Sequence, residues 1–309
     1  MSKTANRKHY IIGLCIVLLA AIGLFGIVPQ LGDFESSLAM LRDADPLLVG
    51  LAVAASIGGT LCSAFVYKTL SVKRLFFVDT ALVQLSGLLV NRVLPAGVGG
   101  LGLNYLYLRA RKHTVAQATT IVSLNNIIGL TGHLLLAVCL LLIAPTLFDD
   151  MSLPVTALAF GGAAMVVLMT TILLVWHQRS VKLRAWKRAL RFYVQQPARL
   201  MRAIIISCFL TLSNVLSLWL CCQALDVSLN FFVVFVVFTF GIVVGTVTPT
   251  PGGLGGTEAA LVAAFMTQDV SAALALAVAL LYRLVSYWFG LLIGTVAVSM
   301  VYRRHLLAA

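Results

Sequence analysis

The chain has 309 residues, of which 61% are hydrophobic and 10% are charged, and its formal net charge is +12 at pH 7. An ordinary soluble domain carries about 25% charged residues, so this composition excludes a water-soluble fold. The positive charge does not indicate nucleic-acid binding, because the basic residues lie in short segments between apolar runs, where they orient membrane helices.

Uncharged runs long enough to cross a bilayer recur along the whole chain. A transmembrane helix needs about 20 apolar residues, and backbone groups in lipid must be paired within the structure, so the runs are predicted to be helices. Barrel strands would alternate apolar and polar residues, which these runs do not. The predicted fold class is an all-α, polytopic membrane protein. Six full spans are predicted, at 10–28, 47–67, 116–143, 154–176, 203–225 and 271–300.

The charges between the spans assign the two sides of the membrane. Lys and Arg are concentrated in five segments, 1–9, 68–76, 109–114, 177–202 and 301–309. The positive-inside rule predicts that these segments are cytoplasmic, and the loops around Asp43, Asp149, Asp226 and Asp269 are then outside. The first run follows a basic start and lacks a signal cleavage site, so we expect it to be retained as a span.

Two further apolar segments, 77–108 and 231–266, begin and end on the same side under this assignment. A Pro/Gly cluster interrupts each one, Pro95-Ala-Gly-Val-Gly-Gly in the first and Pro249-Thr-Pro-Gly-Gly-Leu-Gly-Gly in the second. Irregular backbone at membrane depth is tolerated only inside protein or beside a water-filled cavity. We therefore predict two re-entrant hairpins of broken helices, the first open to the cytoplasm and the second open to the outside.

The two clusters also reveal an internal repeat, since Pro251 follows Pro95 by 156 residues and the same offset relates span 47–67 to 203–223. Because the hairpins open to opposite sides, the halves form an inverted-topology repeat, as in transporters with a midplane substrate site. The alternative is that the glycines only allow close helix packing. The predicted organisation is one membrane domain, 1–309, with repeats at 10–143 and 154–300 and a basic cytoplasmic linker at 177–202.

Three charged residues, Arg92, Glu258 and Arg283, fall inside the predicted membrane segments. A charge at the centre of a membrane helix costs about 2.5–3.5 kcal/mol, so these residues must face one another, water or a ligand. One interpretation is a structural Glu258–Arg283 ion pair, with Arg92 snorkelling to the surface. The other is a net positive cavity for an anionic headgroup, because arginine binds phosphate bidentately and helices beginning after Gly100 and Gly256 would add N–H donors.

Neighbouring glycines and neutral polar residues complete the candidate substrate site. Its predicted members in the first half are Asn91, Arg92, Pro95, Gly97, Gly99, Gly100 and Asn126. Its predicted members in the second half are Pro251, Gly252, Gly253, Gly255, Gly256, Thr257, Glu258, Tyr282 and Arg283. His133 is expected to be a packing residue. The sequence has no nucleotide, zinc-protease or serine-hydrolase motif, so we predict no catalytic residue, metal or cofactor and do not expect an enzyme.

Three segments together resemble a known family: Asn91-Arg-Val-Leu-Pro-Ala-Gly-Val-Gly-Gly, Thr248-Pro-Thr-Pro-Gly-Gly-Leu-Gly-Gly-Thr-Glu258 and Leu281-Tyr-Arg-Leu-Val-Ser-Tyr-Trp288. They are similar to the lysylphosphatidylglycerol synthase transmembrane-region family, a flippase-like domain of bacterial membrane proteins. In the two-part synthases of that family, a soluble domain aminoacylates phosphatidylglycerol and the membrane domain moves the product between leaflets. We expect this chain to be the membrane domain alone, so the resemblance implies lipid translocation rather than aminoacyl transfer.

The expected function is therefore that of a flippase or transporter for an anionic or phosphate-bearing lipid in the bacterial inner membrane, with both termini cytoplasmic. The resemblance does not determine the headgroup, and isoprenoid and glycolipid substrates are alternatives. The alternative is an accessory subunit of a lipid- or glycan-synthesis complex without transport activity, and a weaker one is an enzyme acting on a lipid phosphate. Expected partners are an anionic lipid, lipid- or glycan-synthesis enzymes and a second copy of the chain.

Overall fold

A computed structural model describes residues 31–93, 98–143, 191–248 and 250–308. Within these ranges the secondary structure is helical and contains no strand. The helices are α1 (Leu31–Arg42), α2 (Pro46–Leu70), α3 (Phe77–Val93), α4 (Val98–Ala110), α5 (Val115–Ile143), α6 (Pro197–Gln223), α7 (Phe231–Val247), α8 (Gly256–Met266), α9 (Ala272–Arg283) and α10 (Phe289–Arg303). A 3₁₀ turn at Pro251–Gly253 precedes α8, and a π-helical turn at Leu284–Trp288 joins α9 to α10.

Helix length and composition identify the membrane-spanning elements. Four helices are long and apolar enough to cross a membrane: Pro46–Leu70, Val115–Leu140, Pro197–Gln223 and the continuous Ala272–Arg303. They correspond to four of the six predicted spans, and the other two, 10–28 and 154–176, lie outside the described residues. The chain is therefore a multi-pass α-helical membrane protein.

Local sequence explains where several helices begin. Asp45 caps α2 by accepting a hydrogen bond from the Leu47 N–H at 2.8 Å, and Asn230 caps α7 by accepting one from the Phe232 N–H at 3.0 Å. Helix α6 begins at Pro197 rather than at residue 203, where the apolar segment was predicted to start. Proline is well tolerated in the first turn of a helix. The helix extends beyond the apolar segment because its backbone hydrogen bonds do not depend on apolar side chains.

Helices α3 and α4 form an antiparallel pair, at the position of the first predicted hairpin. Near its open end Thr80 Oγ1 lies 3.1 Å from the Tyr107 hydroxyl, and near its tip the Gly100 N–H donates to Asn91 Oδ1 at 2.6 Å. Helix α4 has 13 residues, and a helix of that size is about 20 Å long. It is therefore shorter than the roughly 30 Å hydrocarbon core.

Helices α7 and α8 form a second antiparallel pair, held together by close glycine contacts. A Cβ added to Gly241 would lie 2.7 Å from Leu261 Cδ2, and one added to Gly245 would lie 2.3 Å from Thr257 Oγ1. Helix α8 has 11 residues and is about 16 Å long at about 1.5 Å per residue. Both pairs occupy the positions of the predicted hairpins, while their re-entrance into a membrane stays a prediction.

The open end of the first pair lies at an end of the molecule that we call the basic end, made of residues 68–79, 109–114 and 301–308. Asp79 in the first turn of α3 binds Arg111, after α4, at 3.0 Å and Arg304, after α10, at 3.3 Å. The Tyr193 hydroxyl donates to the Leu70 carbonyl oxygen at 2.5 Å. Three of the predicted cytoplasmic segments and the end of a fourth are thus gathered on one side.

The open end of the second pair lies at the opposite, acidic end, made of residues 43–45, 224–230 and 267–271. The Asp45 N–H donates to the Ala224 carbonyl oxygen at 3.1 Å, joining the start of α2 to the end of α6. The Trp219 indole donates to the Leu229 carbonyl oxygen at 3.1 Å, just before α7 begins. The two helix pairs therefore open toward different ends of the molecule.

His113 holds the turn between α4 and α5 at the basic end. Its Nδ1 lies 3.0 Å from the Leu108 carbonyl oxygen and its Nε2 lies 2.9 Å from Ser71 Oγ. Burial lowers the pKa of this imidazole, so the neutral ring is the form that ties the turn to the end of α2.

Candidate functional site

The tips of the two helix pairs meet the π turn around Tyr287. The guanidinium carbon of Arg92, in the last turn of α3, lies 5.0 Å from the centre of the Tyr287 ring, and that of Arg283 lies 4.9 Å from it. A Cβ on Gly252, in the 3₁₀ turn, would lie 2.4 Å from Tyr287 Cε2 and 3.5 Å from Arg92 Cγ. We call the cluster of Arg92, Glu258, Arg283 and Tyr287 the arginine site.

Glu258 and Arg283 form a largely buried ion pair within the arginine site. Arg283 Nε lies 2.6 Å from Glu258 Oε1, with the two side chains 10% and 16% exposed, and Arg283 Nη2 donates to the Gly252 carbonyl oxygen at 3.0 Å. The other carboxylate oxygen of Glu258 accepts the Gly255 N–H at 2.9 Å. The pair therefore joins α9 to the start of α8 and to the 3₁₀ turn, as the structural interpretation predicted.

The partly buried Arg92 is bonded to two backbone carbonyl oxygens, while its snorkelling to a membrane surface stays a prediction. Its Nη1 donates to the Leu88 carbonyl oxygen, and its Nη2 donates to the Ser286 carbonyl oxygen in the π turn. A Cβ on Gly290 would lie 2.9 Å from Nη2, so glycine at this position makes room for the guanidinium. Within the described ranges Arg92 Nε is buried without a hydrogen-bond partner, and no carboxylate forms an ion pair with Arg92.

At each of the two predicted helix N-termini, one backbone N–H is bonded to a side chain of the protein. Helix α4 begins at Val98, so Gly100 lies inside it, and the Gly100 N–H is already bonded to Asn91. At α8 the Glu258 carboxylate caps the Gly255 N–H and places a negative charge at the positive end of the helix. The formal positive charges of the site are those of Arg92 and Arg283.

The remaining predicted residues of the second half surround the 3₁₀ turn. Pro251 opens this turn, and Gly252 has a φ of 64°, a left-handed conformation that favours glycine. Two others pack the turn and α8 against α7, since a Cβ on Gly253 or Gly256 would lie within 2.7 Å of an α7 or Thr248 atom. Thr257 is buried and donates to the Gly253 carbonyl oxygen at 3.0 Å.

Three other predicted residues bond to or pack against groups outside the four-residue arginine site. Gly99 packs against α3, where a Cβ would lie 2.4 Å from the Val90 carbonyl oxygen. Tyr282 is buried beside Phe238, with ring centres 6.5 Å apart, and Asn126 is exposed and donates to the Val122 carbonyl oxygen of its own helix. Pro95 and Gly97 lie outside the described residues.

His133 is a packing residue, as expected. Its Nε2 lies 3.0 Å from Thr239 Oγ1, and its ring stacks on Phe235 at 5.3 Å between centres. This residue therefore links α5 to α7.

Sequence reasoning missed Tyr287 and Ser286, which hold the two arginines from the π turn. The Phe289 N–H bonds to the Leu284 carbonyl oxygen, the wider spacing of a π turn. Such single π turns inside helices often occur at functional sites. The sequence feature that could have indicated these two site residues was the aromatic pair Tyr287-Trp288 at the end of the third motif.

The fold and the site together define a multi-pass α-helical membrane protein with two guanidinium groups and one carboxylate gathered where two helix pairs meet. The chain matches the family model described as the lysylphosphatidylglycerol synthase TM region over residues 10–294. It therefore belongs to this family, which links it to membrane lipids. Both helix pairs and the whole arginine site lie inside the matched range. Comparison with curated proteins gives no match.

Proposed function

We propose that the protein moves an anionic or phosphate-bearing lipid between the leaflets of the bacterial inner membrane, with both termini in the cytoplasm. The observation that carries this proposal is that Arg92 has no counter-charge among the described residues. Its guanidinium is partly buried next to Tyr287, and in the described part of the chain no carboxylate forms an ion pair with it. A partly buried charge without a counter-charge is costly, so a site that keeps one is suited to a ligand of opposite charge.

The hydrogen bonds of the two arginines leave donors for such a ligand. A guanidinium has five N–H donors and can bind two phosphate oxygens side by side. Arg92 uses one bond from each terminal nitrogen, and Arg283 uses Nε and Nη2. Because Glu258 neutralises one arginine, the site keeps a net single positive charge. This balance supports binding of a monoanionic headgroup while still permitting its release.

The arrangement of the helix pairs supports an alternating-access mechanism. The pairs open toward different ends of the molecule, and their tips meet at the arginine site. We propose that both are re-entrant hairpins of an inverted-topology repeat, with the acyl chains of the substrate left in the lipid. Rocking of one repeat against the other would then expose the same site to each leaflet in turn.

The test is a headgroup-translocation assay in proteoliposomes, with fluorescent phosphatidylglycerol as the probe and with or without an imposed pH gradient. We expect the protein to speed exchange of the probe between leaflets relative to protein-free vesicles. Arg92→Gln should slow this exchange by about tenfold or more, because one charge-assisted hydrogen bond contributes about 1.5–3 kcal/mol.

Arg42→Gln is the matched control, because Arg42 is an exposed arginine at the end of α1, remote from the tips of the helix pairs. Its transport rate should equal that of the wild type. Exchange no faster than in protein-free vesicles would contradict transport and favour the accessory-subunit alternative. Equal rates for wild type and a folded Arg92→Gln variant would remove the arginine site from the mechanism.

A further inference from the structure

A polar groove lies beside the arginine site, between α2, α3, α4 and α6. Its volume is about 270 Å³. Six amide or hydroxyl side chains line it together with glycines and leucines, and no charged residue is among the lining residues in the described part of the chain. The polar lining residues are Thr60, Ser63, Gln84, Asn91, Asn104 and Asn214.

The groove lies near the middle of the long helices. Thr60 lies on α2, which runs from Pro46 to Leu70. At about 1.5 Å per residue, Thr60 is about 21 Å from one end of α2 and about 15 Å from the other. Asn214 lies in the interior of α6, which packs antiparallel to α2. These polar side chains are therefore at the depth where lipid offers no hydrogen bonds.

After the hydrogen bonds around the groove are formed, one side-chain donor and one side-chain acceptor in the described residues have no protein partner. Ser63 donates to Gln84 Oε1 at 3.1 Å, and Gln84 donates to Asn104 Oδ1 at 2.6 Å, which forms a connected rim. Asn91 uses Oδ1, and Asn214 uses Nδ2 for the Leu210 carbonyl oxygen of its own helix. In the described residues, Asn91 Nδ2 and Asn214 Oδ1 have no such bond, so the groove offers both a donor and an acceptor.

Five of the six polar lining residues of the groove lie in the first half of the chain, and the sixth, Asn214 on α6, lies in the second half. At the offset of 156 residues that relates Pro95 to Pro251, the positions of Thr60, Ser63, Gln84 and Asn104 correspond to Leu216, Trp219, Phe240 and Ala260. Helix packing common to the two halves would call for similar residues in both. The polar set is therefore an addition to the packing scheme, and polar side chains at membrane depth that exceed packing needs indicate a ligand or its path.

We propose that this groove binds the uncharged, hydroxyl-bearing part of a lipid headgroup, a glycerol or a single sugar, whose phosphate lies toward Arg92. This inference rests on the proposed function. Leu88 connects the two sites, because it lines the groove and its carbonyl oxygen accepts a hydrogen bond from Arg92. Hydroxyl groups both donate and accept, which matches the amide groups left open in the groove.

Lipid binding to the purified full chain, titrated by native mass spectrometry, tests the proposal. The probes are phosphatidic acid, which has the phosphate alone, and phosphatidylglycerol and phosphatidylinositol with the same acyl chains. We expect the two hydroxylated lipids to bind about tenfold or more tightly than phosphatidic acid, the effect of one or two neutral hydrogen bonds. Arg92→Gln should weaken all three lipids.

The groove variants are Asn214→Leu and the nearly isosteric Thr60→Val, measured singly and together. The double variant should bind the hydroxylated lipids only about threefold or less more tightly than phosphatidic acid. The control is Thr131→Val, because Thr131, like Thr60, donates to a carbonyl oxygen one turn back in its own helix but is exposed on α5. This variant should keep the full preference.

Four results would overturn the proposal. Equal binding of all three lipids by the wild type, with all weakened by Arg92→Gln, removes the groove and leaves the proposed function standing. A preference that survives in folded Thr60→Val and Asn214→Leu variants also removes the groove. Absence of any lipid binding removes both. Displacement of phosphatidylglycerol by equimolar soluble glycerol phosphate would show that the ligand is a free metabolite rather than a lipid.

Discussion

Replacing Arg283 with alanine is expected to lower the free energy of unfolding by about 3–5 kcal/mol, the cost of leaving one member of a buried ion pair without its partner. The Glu258 carboxylate would keep its charge at a site where its side chain is only 16% exposed. The Gly252 carbonyl oxygen would lose its donor as well. The measurement is the midpoint of detergent-induced unfolding of the purified protein, followed by helix content.

The double variant Glu258→Gln/Arg283→Met removes both charges and serves as the control. Glutamine can still accept the Gly255 N–H that Glu258 now accepts. We expect the double variant to be more stable than Arg283→Ala by at least about 1 kcal/mol, because no uncompensated charge remains. If the double variant lost as much stability as the single variants Glu258→Gln and Arg283→Met added together, the residues would not be coupled and the ion pair would have no structural role.

Gly252→Ala is expected to lower the free energy of unfolding by about 2–5 kcal/mol, the sum of a left-handed backbone and an overpacked contact. The φ of Gly252 is 64°, and an added Cβ would lie 2.4 Å from Tyr287 Cε2. Because Tyr287 contacts both Arg92 and Arg283, the substitution should also slow phosphatidylglycerol exchange. Unfolding midpoints and the translocation assay measure the two effects separately.

Measuring Gly252→Ala in a Tyr287→Ala variant separates the cost of the contact with the Tyr287 ring from the cost of the left-handed backbone. With the ring removed, Gly252→Ala should cost only about 1–2 kcal/mol, the price of the left-handed conformation alone. An undiminished cost in that background would mean that Tyr287 does not pack on the 3₁₀ turn, and the geometry of the arginine site would be wrong.

The parts of the fold that are determined by the lipid environment were predictable from the sequence. A helix that crosses lipid needs a long uncharged run, so the spans that became α2, α5 and α6 could be predicted within a few residues at most boundaries. The proximity of Arg92, Glu258 and Arg283 was also predictable, because charges in lipid must find one another or a ligand.

Other parts that depend on tertiary contacts were not predictable. Nothing local in Leu284–Trp288 predicts a π turn, which forms where Ser286 bonds Arg92 across the structure. Asn126 was assigned to the site by its place in the sequence, whereas the helical turn directs it outward. The polar groove was missed because Thr60 and Asn214 are distant in sequence and each reads as ordinary packing on its own helix.

The proposed mechanism requires that the two helix pairs enter the membrane from opposite faces and meet at the arginine site. Single cysteines at exposed positions before each pair test it directly, Arg74→Cys for the first and Ser228→Cys for the second, in a chain with its native cysteines replaced. In intact cells an impermeant maleimide should label only Ser228→Cys, and in inverted vesicles it should label only Arg74→Cys. Labelling of both cysteines from the same side would contradict the account.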